Sequence, residues 1–211
     1  MPGRIQNLRR RLGVLGLAGV IVIGTAVPTA SAAAPRMVDP IAEVAAGALV
    51  LLNSSSTRDE SPSFLAWREQ LAVEVGERLG LDPDELLEAW DRADTEHQTA
   101  LVAALSQLGV RYRYRSADPE KGFDCSGLTA YAWGQAGVSL ARNSTQQFRQ
   151  GEPRNFFTAQ AGDLIRYPGH VMMWLGVDNA VVHSPEPGKV VEVRLLSDRS
   201  LRRSGFFDPS E

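Results

Sequence analysis

The sequence predicts an α+β fold, and three observations carry that prediction. Residues 61–108 place apolar side chains at helical spacings of three and four. From Val110 onward the chain changes to short strand-like runs broken by Gly and Pro. One helical pattern stands among those runs, without the strand–helix–strand alternation that a parallel sheet needs. Helices first and a meander of strands afterwards is the expected order.

The chain opens with a positive segment, Arg4, Arg9, Arg10 and Arg11, then an uncharged apolar run from Leu12 to Val27. Ala30-Ser31-Ala32 follows as a small-residue cleavage pattern, so residues 1–32 read as a secretory signal peptide cut after Ala32. The apolar run has 16 residues, short of the roughly 20 that span a bilayer. Cleavage leaves 18 basic and 25 acidic residues, a net charge of −7. No basic block follows the first dozen residues, which argues against a nucleic-acid partner. No later run approaches the length of a membrane span, so a secreted, extracellular or wall-associated protein is expected.

Residues 33–94 read as a helical N-terminal extension. Ile41 to Leu52 is apolar and Ala-rich, and a polar linker near 53–60 follows it. That linker would let residues 41–52 detach, as a plug over a cleft, if they are not simply packed. Ser61-Pro62-Ser63 is a helix start, and Phe64, Leu65, Trp67, Leu71, Val75 and Leu79 continue it up to Gly80. Asp82-Pro83 opens another helix through Leu86, Leu87 and Trp90. A third, from about Thr95 to Leu108, stops at Gly109. Residues 95–211 then form the second domain. Ser126 to Gly137 is its helix; 163–167, 171–175, 179–183 and 190–195 are its strands.

The chain has one cysteine and three histidines. One cysteine makes no internal disulfide and supplies a metal site poorly. Cys125 lies between a Gly-containing turn and a helical pattern, in Gly122-Phe123-Asp124-Cys125-Ser126-Gly127-Leu128. A sulfur at a helix N-terminus meets unpaired N–H groups and the positive end of the helix dipole, which favour the nucleophilic thiolate. His170 starts one strand and His183 ends the next, with the turn-like Gly176-Val177-Asp178-Asn179 between them. A hairpin there makes the two histidines neighbours, His170 as base for Cys125 and His183 as its orienting partner. His97, in a polar helix start, reads as a surface residue.

These residues resemble the NlpC-type cell-wall cysteine peptidases of the papain-like clan. The similar segments run in family order: Leu108 to Tyr112, Gly122 to Leu128, Leu140 to Gln147, Ala161 to Leu164, Gly169-His170-Val171, Leu175-Gly176, and Val182 to Pro185. The resemblance covers about residues 95–211. It implies a papain-like domain in which a nucleophile helix packs on a small antiparallel sheet. It also implies a secreted peptidoglycan hydrolase cleaving stem peptides at the γ-D-glutamyl–meso-diaminopimelate bond through a thiol acyl-enzyme, with no cofactor and no metal. Cys125 would be the nucleophile, His170 the base and His183 the third residue. Tyr112 would stand near the thiolate and donate to the oxyanion, and Asp124 and Ser126 would shape the pocket for the stem-peptide amine. A non-catalytic peptidoglycan-binding relative, or an amidase or acyltransferase on the same Cys-His fold, are the alternatives. Two departures stand out. Tyr114-Arg115-Ser116 replaces the family's common Trp-Gly-Gly, and the bulky Met172-Met173-Trp174 follows His170.

Overall fold

The computed structural model describes residues 38–54 and 61–211. The signal-peptide reading falls on residues 1–32, and most of the polar linker on 55–60; both lie outside the described residues. Four helices come first: α1 Pro40–Ser54, α2 Pro62–Leu79, α3 Pro83–Arg92 and α4 Thr95–Leu105. Their ends follow from local chemistry. Ser61 Oγ accepts from the Phe64 N–H and Pro62 sits at the first turn of α2. Gly80 closes α2 at φ 70°, the left-handed conformation that Gly adopts without strain. Asp82 and Asp94 cap α3 and α4 in the same way as Ser61. Gly47 of α1 lies under the Trp67 ring of α2, where a Cβ would come within 2.8 Å of the indole, so the two helices approach closely there.

A two-stranded ribbon, β1 Ala117–Asp118 and β2 Gly122–Phe123, leads into α5 Cys125–Gln135. After α6 Ser144–Gln150 come β3 Glu152–Arg154, β4 Leu164–Tyr167, β5 His170–Trp174, β6 Ala180–His183, β7 Glu192–Leu195, α7 Asp198–Leu201 and β8 Gly205–Asp208. Six of the strands make one antiparallel sheet in the order β3-β8-β4-β5-β6-β7. The predicted helix at 126–137 and the four predicted strands are all present, with ends shifted by a residue or two. The edge strand β3, and β8 between it and β4, are elements that the periodicity does not reveal.

The sheet is buried on both faces, and β5 shows it by alternation. Val171 and Met173 join the large core that runs from Ile41 and Leu52 through Trp90, Leu105 and Leu128 to Phe207. Met172 and Trp174 join a smaller cluster on the other face with Ile165, Val181 and Phe206. Phe156 covers that cluster, 5.5 Å from the Trp174 ring. The bulky residues after His170 therefore fill a second buried face. α5 packs against β5 and lies beside α4, and this contact sets the cysteine-bearing helix end against the start of β5. The apolar face of α1, Ile41, Ala45, Ala48 and Leu52, is fully buried in the large core, against α2 and α4. Among the described residues no helix is long and apolar enough to cross a membrane.

Candidate active site

Asp124 builds the start of α5. Its Oδ1 accepts from the Gly127 N–H at 2.7 Å, the capping contact. Its Oδ2 accepts from the Arg115 N–H at 2.8 Å. The guanidinium of Arg142 closes both oxygens in a fork, Nη1 to Oδ1 at 2.9 Å and Nη2 to Oδ2 at 2.8 Å. This carboxylate is fully engaged by the chain itself. Ser126, equally buried, donates to the Arg142 carbonyl at 2.9 Å. Gln147, wholly buried, donates to the carbonyls of Ser126 and Ala141, both at 2.9 Å. Ser184 donates to the Phe123 carbonyl at 2.7 Å and so ties the end of β6 to the residue two before the cysteine.

Cys125 is partly buried and unpaired. Burial pushes its thiol above the ordinary value, more strongly than the backbone N–H groups of Val171, Ser126 and Cys125 itself pull it down. The expectation of a thiolate favoured in the resting site is therefore corrected: desolvation outweighs the helix end. The Val171 contact places the start of β5 directly against the sulfur.

His170 and His183 meet across the β5–β6 hairpin, Nε2 of His170 lying 2.8 Å from Nδ1 of His183. That leaves Nδ1 of His170 as its other ring nitrogen. Both imidazoles are held near pKa 4, chiefly by burial, with the Arg194 charge adding to it and, for His170, the neighbouring His183. Cys125 and both histidines are thus neutral at pH 7. Tyr112, Tyr114, Arg115, Asp124, Cys125, Ser126, Arg142, Asn143, Ser144 and Gly169 line one pocket of about 440 Å³. Tyr112 and the departing pair Tyr114-Arg115 thus belong to the wall of the cysteine's pocket, and its lining residues all fall between 112 and 169. Residues 41–52 contribute nothing to it, so they do not sit as a plug.

His97 is a second correction. It is fully buried, with Nδ1 2.8 Å from Asp94 Oδ1 and Nε2 2.9 Å from Asp163 Oδ1. Its partner Asp163 lies 66 residues away, out of reach of local pattern. His97, Asp163 and Asp208 bring ligand-type atoms within 4.8 Å of one another. Those atoms are already taken, however: Asp208 also holds Arg154 at 2.8 Å and Ser210 at 2.6 Å. The group reads as a hydrogen-bonded latch between α4 and the sheet. Sequence reasoning also passed over Glu192, whose only signal is its register opposite His183 on β7.

The chain is similar to known proteins over about half of its length. A probable endopeptidase of Mycobacterium tuberculosis is 35% identical over 106 residues, which is 49% of this chain and 27% of the relative. A gamma-DL-glutamyl hydrolase of Bacillus subtilis is 31% identical over 108 residues, 47% of this chain and 26% of the relative. The chain therefore spans about a quarter of the length of these curated relatives. A solved NlpC/P60 family protein from Bacillus cereus superposes with a TM-score of 0.48 at 28% identity, covering 53% of this chain and 39% of that one. The model of the NlpC/P60 family matches residues 109–204. That stretch, with the cysteine and both neighbouring histidines inside it, belongs to the NlpC/P60 family.

Proposed function

We propose that this protein is a secreted cysteine peptidase of the bacterial wall, cutting peptidoglycan stem peptides between γ-D-glutamate and meso-diaminopimelate. The observation that carries this reading is that the Cys125 sulfur, at the start of α5, lies against the Val171 N–H at the start of β5, next in chain to His170, which is hydrogen-bonded to His183 at the end of β6. Residues 1–32 would direct export, residues 33–94 would be the helical extension, and residues 95–211 would carry the chemistry.

His170 Nδ1 takes the Cys125 proton as the sulfur attacks the γ-glutamyl carbonyl carbon. The negative charge that develops on the carbonyl oxygen is met by the Cys125 N–H and by the Tyr112 hydroxyl. Collapse breaks the C–N bond, and His170 returns its proton to the leaving amine. Water then attacks the thioester with His170 again as base, releasing the acid and restoring the thiol. The thiol and both rings are neutral at rest, so the proton moves when substrate arrives and excludes water. Asp124 serves here as the cap of α5 and the seat of Arg142. It has little capacity left for a substrate amine.

The test is digestion of diaminopimelate-type peptidoglycan by the protein beside Cys125→Ala, with the products read by mass spectrometry. Fragments ending in γ-D-glutamate, absent with Cys125→Ala, are expected. Cuts between sugar and L-Ala would replace this reading with an amidase. Binding to the wall without any product would replace it with a non-catalytic binding protein.

A further inference from the structure

His183 is buried, and only one of its ring nitrogens is satisfied. Nδ1 faces His170 Nε2 at 2.8 Å. Nε2 is shut off from solvent and has no hydrogen bond of acceptable geometry. The nearest acid is Glu192, the residue paired with His183 across the β6–β7 ladder. Its Oε1 lies 3.4 Å from that Nε2. The Glu192 side chain is 40% exposed, so it has room to turn, whereas the His183 ring does not.

Two neutral imidazoles that share one hydrogen bond have two arrangements. In the first, His170 Nε2–H donates to His183 Nδ1. His170 Nδ1 is then bare and able to accept a proton, and His183 carries its own proton on Nε2. In the second, His183 Nδ1–H donates to His170 Nε2. His170 then holds its proton on Nδ1, and it cannot act as base toward Cys125. The hydrogen bond between the rings is the same length in both, so it does not choose between them. What chooses is the far nitrogen of His183. A carboxylate beside it accepts an N–H and repels a lone pair.

We propose that Glu192 is a positioning residue that selects the first arrangement: it accepts the His183 Nε2–H and thereby keeps His170 Nδ1 free to take the Cys125 proton. The Cys125 sulfur meets the N–H of Val171, the residue after His170, and from His170 the contacts run on to His183 and Glu192. Besides each ring on the other, three charged or titratable groups stand around the histidine pair: Cys125 on α5, and Glu192 and Arg194 on β7. The Arg194 charge disfavours protonation of both rings. Among the described residues, Glu192 is the acid placed beside the far nitrogen of His183, where it can tell one tautomer from the other. The resting separation of 3.4 Å is loose, as such contacts often are before substrate binds. The catalytic consequence rests on the cysteine-peptidase reading above; the tautomer choice does not.

The experiment compares the whole protein with Glu192→Gln and Glu192→Leu. Nitrogen NMR of the histidine rings reports which nitrogen holds each proton, whether or not the protein is active. The expected result is His183 protonated on Nε2 in the wild type, retained in Glu192→Gln, whose amide oxygen still accepts, and shifted toward Nδ1 in Glu192→Leu. On stem peptide, kcat is expected to fall on the order of tenfold in Glu192→Leu with KM unchanged, and to stay within about threefold in Glu192→Gln. An unchanged His183 tautomer in Glu192→Leu overturns the proposal, and so does full activity in that variant. If Glu192→Leu fails to fold, Glu192→Ser takes its place, and the same two readings apply. If the wild type cuts no peptide while the tautomer still shifts, the peptidase reading fails and the role of Glu192 in the histidine pair stands.

Discussion

His97 Nε2 lies 2.9 Å from Asp163 Oδ1, and through this bond the first turn of α4 is fastened to the residue that opens β4. Both side chains are fully buried, and the His97 ring rests edge-on against Trp133 of α5 at 4.8 Å. The latch therefore joins the helix beside α5, which carries Cys125, to the sheet that carries His170 and His183. Burial alone would lower the pKa of His97; the hydrogen bonds and charges of Asp163 and Asp94 outweigh it and raise it above the ordinary 6.5. A raised folded value means that protonated His97 adds stability in full below 6.5, and that the contribution is lost as the pH climbs through the raised value. Thermal melts of wild type and His97→Gln should thus differ most near pH 6 and draw closer toward alkaline pH. A difference that stays constant across the range would show that the ring acts by packing alone.

Cys125 and His170 should titrate in opposite directions from their ordinary values. Burial raises Cys125 above 9.0, so its alkylation by iodoacetamide should climb about tenfold per pH unit past neutrality and not level off until above pH 9. A rate already flat from pH 5 would mean a preformed thiolate–imidazolium pair instead. His170 is held at about 4 by burial, by His183 and by Arg194. Arg194→Gln removes a positive charge that opposes the imidazolium, so the acid limb of kcat/KM should move upward from about pH 4. A limb that does not move would show that burial holds the ring alone.

What the sequence revealed follows how local each signal is. Cys125 was legible because the capping Asp124, the cysteine and the helix that follows are contiguous. The His170–His183 pair was legible because a short turn joins the two strands, and a tight hairpin brings its ends together. His97 was not legible. A polar first turn looks exposed, and the carboxylate that buries it comes from 66 residues away. The β3–β8 pairing was hidden for the same reason: Glu152 pairs with Asp208, and Pro153 and Gly205 break any strand pattern. Glu192 carries no mark in sequence at all, since its meaning comes only from the β6–β7 register.

Asp124 should act on the fold of the site more than on substrate affinity. It caps α5, holds the Arg115 N–H and seats Arg142, whose side chain is 44% exposed. Asp124→Ala removes the cap, worth about 1 kcal/mol, and leaves the guanidinium without its fork, worth up to about 1 kcal/mol at that exposure. A loss of roughly 2 kcal/mol in chemical denaturation is expected, with kcat reduced because the Cys125 turn loosens. If denaturation is unchanged and only KM rises, Asp124 is a substrate ligand and the capping account is wrong.

Two glycines of α5 separate helix propensity from packing. Ala is favoured over Gly inside a helix by about 1 kcal/mol. At Gly134 a Cβ meets nothing within 4 Å, so Gly134→Ala should stabilise the protein by roughly 0.5–1 kcal/mol. At Gly127 a Cβ would overlap the Ser116 carbonyl oxygen, a backbone atom whose own residue is tied to Asp124 by the Asp124 N–H. That oxygen cannot retreat without moving the segment from Arg115 to Asp124, which carries the pocket wall and the residue before Cys125. Gly127→Ala should therefore destabilise by about 1–3 kcal/mol despite its better propensity, and lower kcat as well. Melting the two variants side by side checks this directly. The same sign at both positions would mean that the close approach at Gly127 relaxes without cost, and that the turn before Cys125 is not held by the helix packed against it.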